Sequence, residues 1–222
     1  MAYEKLLDVL QLNDVFQENL KDPVVAGRVE YLRKYLKKVY ADDRKQYIYA
    51  ITLFTLFVEN VSLFSQFYII LHMNKNKAIL KDTAQQVKYT RNEEMLHAQV
   101  GIKLINTLRE EYPELFDAEL ESRIALACEE SIRCESEVIR WIVGDYEVKG
   151  LSADILIEFI KKRMVESMDQ IGFGTELSYD TNLTKETKWF DEGLYGTNMV
   201  DFFNGRPVDY ARGQGVSADD LF

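Results

Sequence analysis

A single carboxylate stands in the longest apolar run of this chain. From Tyr47 to Met73 the sequence reads YIYAITLFTLFVENVSLFSQFYIILHM, and Glu59 is its one formal charge. A carboxylate in apolar surroundings costs on the order of several kcal/mol unless it is paired, protonated or bound to a metal. Downstream, in TRNEEMLHAQVG, Glu94 and His97 are spaced i, i+3 and project from one helix face about a turn apart. A carboxylate and an imidazole so placed can hold one metal ion, and hard divalent metals accept mixed oxygen and nitrogen ligands. Glu-x-x-His also occurs on solvated faces with no metal. Two features favour the metal: one of only two histidines is used here, and Glu59 has no other partner in sight.

The elements must bring the two groups together. The Glu59 stretch reads as one long helix opened by Asp42 and Asp43, and Asn74, Lys75 and Asn76 form a polar break. The next helix covers roughly Ala78 to Glu111, stopped by Tyr112-Pro113. Helices joined by a short break pack antiparallel. With Lys75 as the reversal point, Glu59 lies sixteen residues before it and Glu94 nineteen after it. At about 1.5 Å per residue the two fall within about a turn of the same height. His72 has Ile69, not Glu, three residues earlier, and reads as a surface or capping histidine.

The other segments are ordinary amphipathic helices. Tyr3, Leu6, Leu7 and Leu10 recur at helical spacing, but no N-cap residue precedes Ala2. Asp22-Pro23 is a standard helix opening. Further helices run from about Ala118 to Val143 and from Leu151 to Ile171, the latter capped by Ser152. From Gly172 the periodicity fades, and ARGQGVSADDLF reads as a flexible acidic tail with an apolar tip. The expected division is a helical bundle over residues 1–173 and an irregular segment with tail over 174–222.

Composition bounds the class. Few glycines, three prolines and a hydrophobic content of 47% in 222 residues favour an all-α domain with a sizeable core. A net charge of −10 argues against nucleic acid as the ligand. Cys128 and Cys134 lie about 120° apart around a helix, so no disulfide between them is expected and a reducing, cytoplasmic setting fits. No secretory signal opens the chain. The Tyr47–Met73 stretch is long enough for a membrane span. Glu59 at its centre and the cluster Asn60, Ser62, Ser65 and Gln66 favour a buried bundle helix instead.

These motifs resemble the small (β) subunit of class I ribonucleotide reductase. VENVSLFSQF is similar to the family segment whose Glu is a metal ligand, and NEEMLHAQVGIKLINTLREEYP to its second Glu-x-x-His helix. WFDEGLYGTNMVDFFNGRPVDYARG resembles the C-terminal region, where a tyrosine follows an FF-x-x-R segment. The resemblance covers nearly the whole chain. It implies a ferritin-like helical bundle, with this chain its C-terminal half. Glu59, Glu94 and His97 would be iron ligands holding mostly one ion of a pair, with Glu94 bridging. Tyr210 would pass the radical onward, and Asp219 to Phe222 would dock on the large subunit.

The departure is at the front. In the family an Asp, the first Glu-x-x-His and then the radical tyrosine, in a segment like H-x-x-A-Y, come early. Here Tyr3 matches that tyrosine and what precedes it is missing. The expectation is therefore a split β subunit. A separate N-terminal polypeptide would supply one Asp, one Glu and one His, and the assembled dimer would generate a tyrosyl radical for deoxyribonucleotide synthesis. Glu93 stands where the family usually has Asp, and Leu63 where it often has Phe. These leave a diiron site as the default, with manganese or mixed manganese/iron as alternatives. Two other readings stand beside this one: a non-catalytic helical partner that regulates the reductase, and another ferritin-like dimetal oxidase.

Overall fold

The computed structural model describes residues 2–35 and 43–195, and its regular structure is helical. No β-strand occurs among the described residues; one antiparallel bridge joins Val148 and Leu151. Local sequence sets most boundaries. Two short helices, α1 (Ala2–Val9) and α2 (Asn13–Asn19), precede α3 (Pro23–Tyr35). Asp22 caps α3 by accepting from the Val24 amide at 2.8 Å. The central rod begins with α4 (Arg44–Ile51), where Asp43 accepts from the Gln46 amide at 2.9 Å. It continues through a π-helical segment, Thr52–Ser62, into α5 (Leu63–Lys77).

Three long helices surround this rod. They are α6 (Lys81–Glu111), α7 (Ala118–Val143) and α8 (Ala153–Gln170). Asp117 caps α7, Gly144 ends it at φ +54°, and Ser152 caps α8 as expected. The rod packs along α6, α7 and α8, while α3 lies on α7. Phe57, Phe64 and Tyr68 of the rod, Ile105 of α6, Ile124 of α7 and Phe159 of α8 are fully buried. Beyond Gln170 come an irregular stretch, α9 (Thr181–Thr184), a 3-10 turn (Lys185–Thr187) and α10 (Lys188–Tyr195). A first compact unit ends at Lys188 and a second starts at Trp189.

Three details differ from the sequence reading. The rod is not uniformly α-helical: eleven residues around Glu59 take the wider π winding. The polar triplet Asn74–Asn76 does not break the helix, which continues to Lys77 and reverses over Ala78–Leu80. Both asparagines serve its last turn instead. Asn76 Nδ2 donates to the His72 carbonyl and Asn74 Nδ2 to that of Ile79, each at 3.0 Å. His72, expected at the surface, is 5% exposed. Its Nε2 lies 3.1 Å from the Lys149 carbonyl and its ring stacks on Tyr68.

Arg44–Lys77 is long and apolar enough to cross a membrane, and 56% of its most apolar window is buried inside the bundle. Cys128 and Cys134 are free and buried.

Candidate metal centre

Glu59 comes from the π-helical segment, Glu94 and His97 from α6. The antiparallel packing of rod against α6 brings them together, as the spacing argument requires. One ligand atom from each lies within 4.8 Å of the others, the one such group of His, Cys, Asp and Glu among the described residues. His97 Nδ1 sits 2.9 Å from Glu94 Oε2 and 3.6 Å from Glu59 Oε1. The carboxylates are largely covered, at 14% and 16% side-chain exposure, whereas His97 is 57% exposed.

The electrostatics follow from this placement. Burial pushes the Glu59 carboxyl above the usual carboxylate range; His97 draws it back and the Glu94 charge opposes that. The hydrogen bond to Glu94 raises His97 above its ordinary value of 6.5; burial opposes this, and the Glu59 charge supports it. A proton on His97 thus offsets only part of the charge of two carboxylates. A divalent cation would do the same with more charge, and two carboxylates with an imidazole form a donor set that suits it. The residues therefore fit a metal. They amount to half of a bundle-type dimetal site, which takes a Glu from each of two helices and Glu-x-x-His from each of two more.

Two features that hold the donors in place are not obvious from spacing. Gly101, one turn beyond His97, lets the rod approach α6 closely. A Cβ there would stand less than 3.0 Å from three atoms of Thr55, which lies one turn before Glu59. Its signal was a lone glycine inside a long helix, a position that costs about 1 kcal/mol relative to alanine and so implies a packing reason. The π winding had no signal in the pattern of apolar residues. Hydroxyls accompany it: Thr52 donates to the Ile48 carbonyl, Thr55 to that of Ile51, and Ser62 reaches five residues back to that of Phe57. Such back-bonding loosens α-helical winding, and π turns gather at functional sites.

The backbone of Tyr3 lies in α1; its side chain, like Tyr210 and Asp219 to Phe222, lies outside the described residues. Glu93 is exposed beside the site, and Leu63 is half-buried.

The family model for the small chain of ribonucleotide reductase matches residues 1–182. The probable ribonucleoside-diphosphate reductase small subunit 048L of Invertebrate iridescent virus 3 is 23% identical over 226 residues, 95% of this chain and 59% of that protein. The ribonucleoside-diphosphate reductase subunit beta of Chlamydia pneumoniae is 23% identical over 74% of this chain and 46% of its own length. The chain thus spans about half the length of the curated relatives it matches. Among solved structures, the ribonucleotide reductase R2 subunit from Clostridium botulinum superposes with a TM-score of 0.72 at 17% identity, over 86% of this chain and 61% of that one. That likeness shows the ferritin-like helical fold.

Proposed function

Since the chain belongs to the ribonucleotide reductase small-chain family, we propose that it is the C-terminal part of a ribonucleoside-diphosphate reductase β subunit and carries half of a dimetal-carboxylate site. The observation behind this reading is the convergence of Glu59, Glu94 and His97 within 4.8 Å on two antiparallel helices. A purely structural partner would not need that donor set. The remaining Asp, Glu and His belong to the other part of the bundle, outside these residues. The cofactor is a pair of iron ions, or a manganese-containing pair, shared between the two parts of the bundle.

This chain's residues have defined tasks. Glu59 and Glu94 would hold the metal through their carboxylates, and His97 through a ring nitrogen once its proton has left. Partial burial of both carboxylates limits competition from water. When bound, the metal pair supplies oxygen activation and the oxidising power for radical formation. Tyr3 holds the radical, Tyr210 relays it, and Asp219 to Phe222 dock the tail on the large subunit, where the ribonucleotide is reduced. The β subunit works as a dimer in the cytoplasm.

The test mixes this chain with the polypeptide that completes the bundle, adds ferrous iron and oxygen, and records the electron paramagnetic resonance spectrum. An organic radical is expected, and Tyr3→Phe removes a tyrosyl signal while metal stays bound. A signal that survives Tyr3→Phe contradicts that assignment. No radical and no metal uptake in any mixture contradicts the whole reading.

A further inference from the structure

A buried guanidinium reaches both ligand-bearing helices one residue away from their ligands. Arg163 of α8 is 7% exposed. Its Nε donates to the main-chain carbonyl of Asn60 at 2.7 Å, and its Nη2 donates to the Asn60 side-chain oxygen. The same Nη2 lies 3.4 Å from Sδ of Met95. Asn60 follows Glu59, and Met95 follows Glu94. The Arg163 plane also covers the Phe64 ring, with 3.7 Å from its central carbon to the centroid.

The hydrogen bonds close into a ring. Asn60 Nδ2 donates to Ser167 Oγ at 2.7 Å, and Ser167 Oγ donates to the main-chain carbonyl of Arg163 at 2.7 Å. Each hydroxyl and amide has one consistent role: Ser167 spends its proton on Arg163 and accepts from Asn60, while Asn60 offers its oxygen to Arg163. Both oxygens of Asn60 are thereby fixed by one planar, always-charged donor. The clamp falls inside the π-helical segment Thr52–Ser62, a winding that is rare in isolation. An α-helical register would rotate Glu59 and Asn60 about the helix axis and shift both Asn60 oxygens relative to Arg163.

We propose that Arg163 is a positioning residue. By chelating Asn60 through main chain and side chain, braced by Ser167, it holds the π turn that aims Glu59 at Glu94 and His97. This rests on reading those three as metal ligands. Loss of a group that orients a ligand commonly weakens metal affinity by about 10–100-fold.

The test uses the full chain with cobalt(II) as probe, read by its visible absorption, together with amide hydrogen exchange of the metal-free protein. Arg163→Gln should weaken cobalt binding at least about tenfold, alter the band positions, and speed exchange about tenfold or more at residues 57–65 while α7 stays protected. Arg163→Lys, which keeps the charge but lacks the fork, should resemble Gln more than Arg. Ser167→Ala keeps Arg163 in place and should give a smaller change of the same kind, so the proposal stays testable if Arg163→Gln does not fold. Unchanged exchange at residues 57–65 in Arg163→Gln, or an equal rise across the whole bundle, overturns the proposal. If Arg163→Gln does not fold, unchanged exchange and cobalt binding in Ser167→Ala overturn it. If the unsubstituted chain, which holds only half of the proposed site, binds no cobalt, the exchange measurement decides the role of Arg163 alone.

Discussion

The two histidines differ in what surrounds them. His97 sits half-open between two carboxylates, which favour its charged form. His72 is enclosed, and its pKa falls below the ordinary 6.5 mainly because burial disfavours the imidazolium. The Lys149 carbonyl opposes this shift, and the charges of Lys75 and Lys77 add to it. A depressed folded value means that protons bind the unfolded chain more readily. His72 therefore contributes stability that is fully present above pH 6.5 and is lost as the pH falls through its folded pKa. His72→Gln keeps a donor for Lys149 and cannot titrate. Its melting temperature should drop less than that of the unsubstituted chain between pH 7.5 and 5.5. Equal drops in thermal scans at the two pH values would show that His72 does not titrate on unfolding.

At the scale of elements, the site depends on how closely the rod and α6 approach. Thr55 is fixed by donating to the Ile51 carbonyl at 2.7 Å, so it has little freedom to retreat from a side chain at position 101. Gly101→Ala should cost about 1–3 kcal/mol from overpacking. It should also weaken metal binding by moving Glu59 away from His97. Chemical denaturation and cobalt titration of the variant measure both, and unchanged values in each would show that the rod moves freely there. Much of this arrangement was legible in the sequence. Glu59, Glu94 and His97 were identified from an apolar run, an i, i+3 spacing and a count of residues to the reversal. The caps Asp22, Asp43 and Ser152 were read from local chemistry alone; Asp117 was not singled out. The π winding was not legible, because apolar periodicity over so few turns does not separate it from an α-helix. Nor was the Asn60–Arg163 contact, since it joins residues more than a hundred positions apart and leaves no local pattern. The turn fell later than expected because asparagine amides can cap a helix as well as break it.

The whole molecule leaves apolar side chains uncovered around the site. Tyr89, Leu96, Val100 and Leu104 line one face of α6, Phe54 projects from the rod, and all are exposed. His97 and Val100 are neighbours at i, i+3 on α6 and both are exposed, so the open side of the donor set adjoins this stripe. A contiguous apolar face beside a half-complete ligand set is a surface suited to another part of a bundle. Val100 is 66% exposed, and Val100→Asp should leave this chain's melting temperature within a few degrees while weakening its assembly with whatever segment completes the proposed bundle at least about tenfold, since charge is disfavoured in an interface core. Analytical ultracentrifugation of the mixed chains measures this, and undiminished assembly would place the contact elsewhere. The most direct test of the account is the metal content of the assembled particle, with and without Glu59→Ala. The proposed site predicts about two iron ions per completed bundle, falling when Glu59 is removed. An iron-free assembly, or an iron content that Glu59→Ala leaves unchanged, would contradict it.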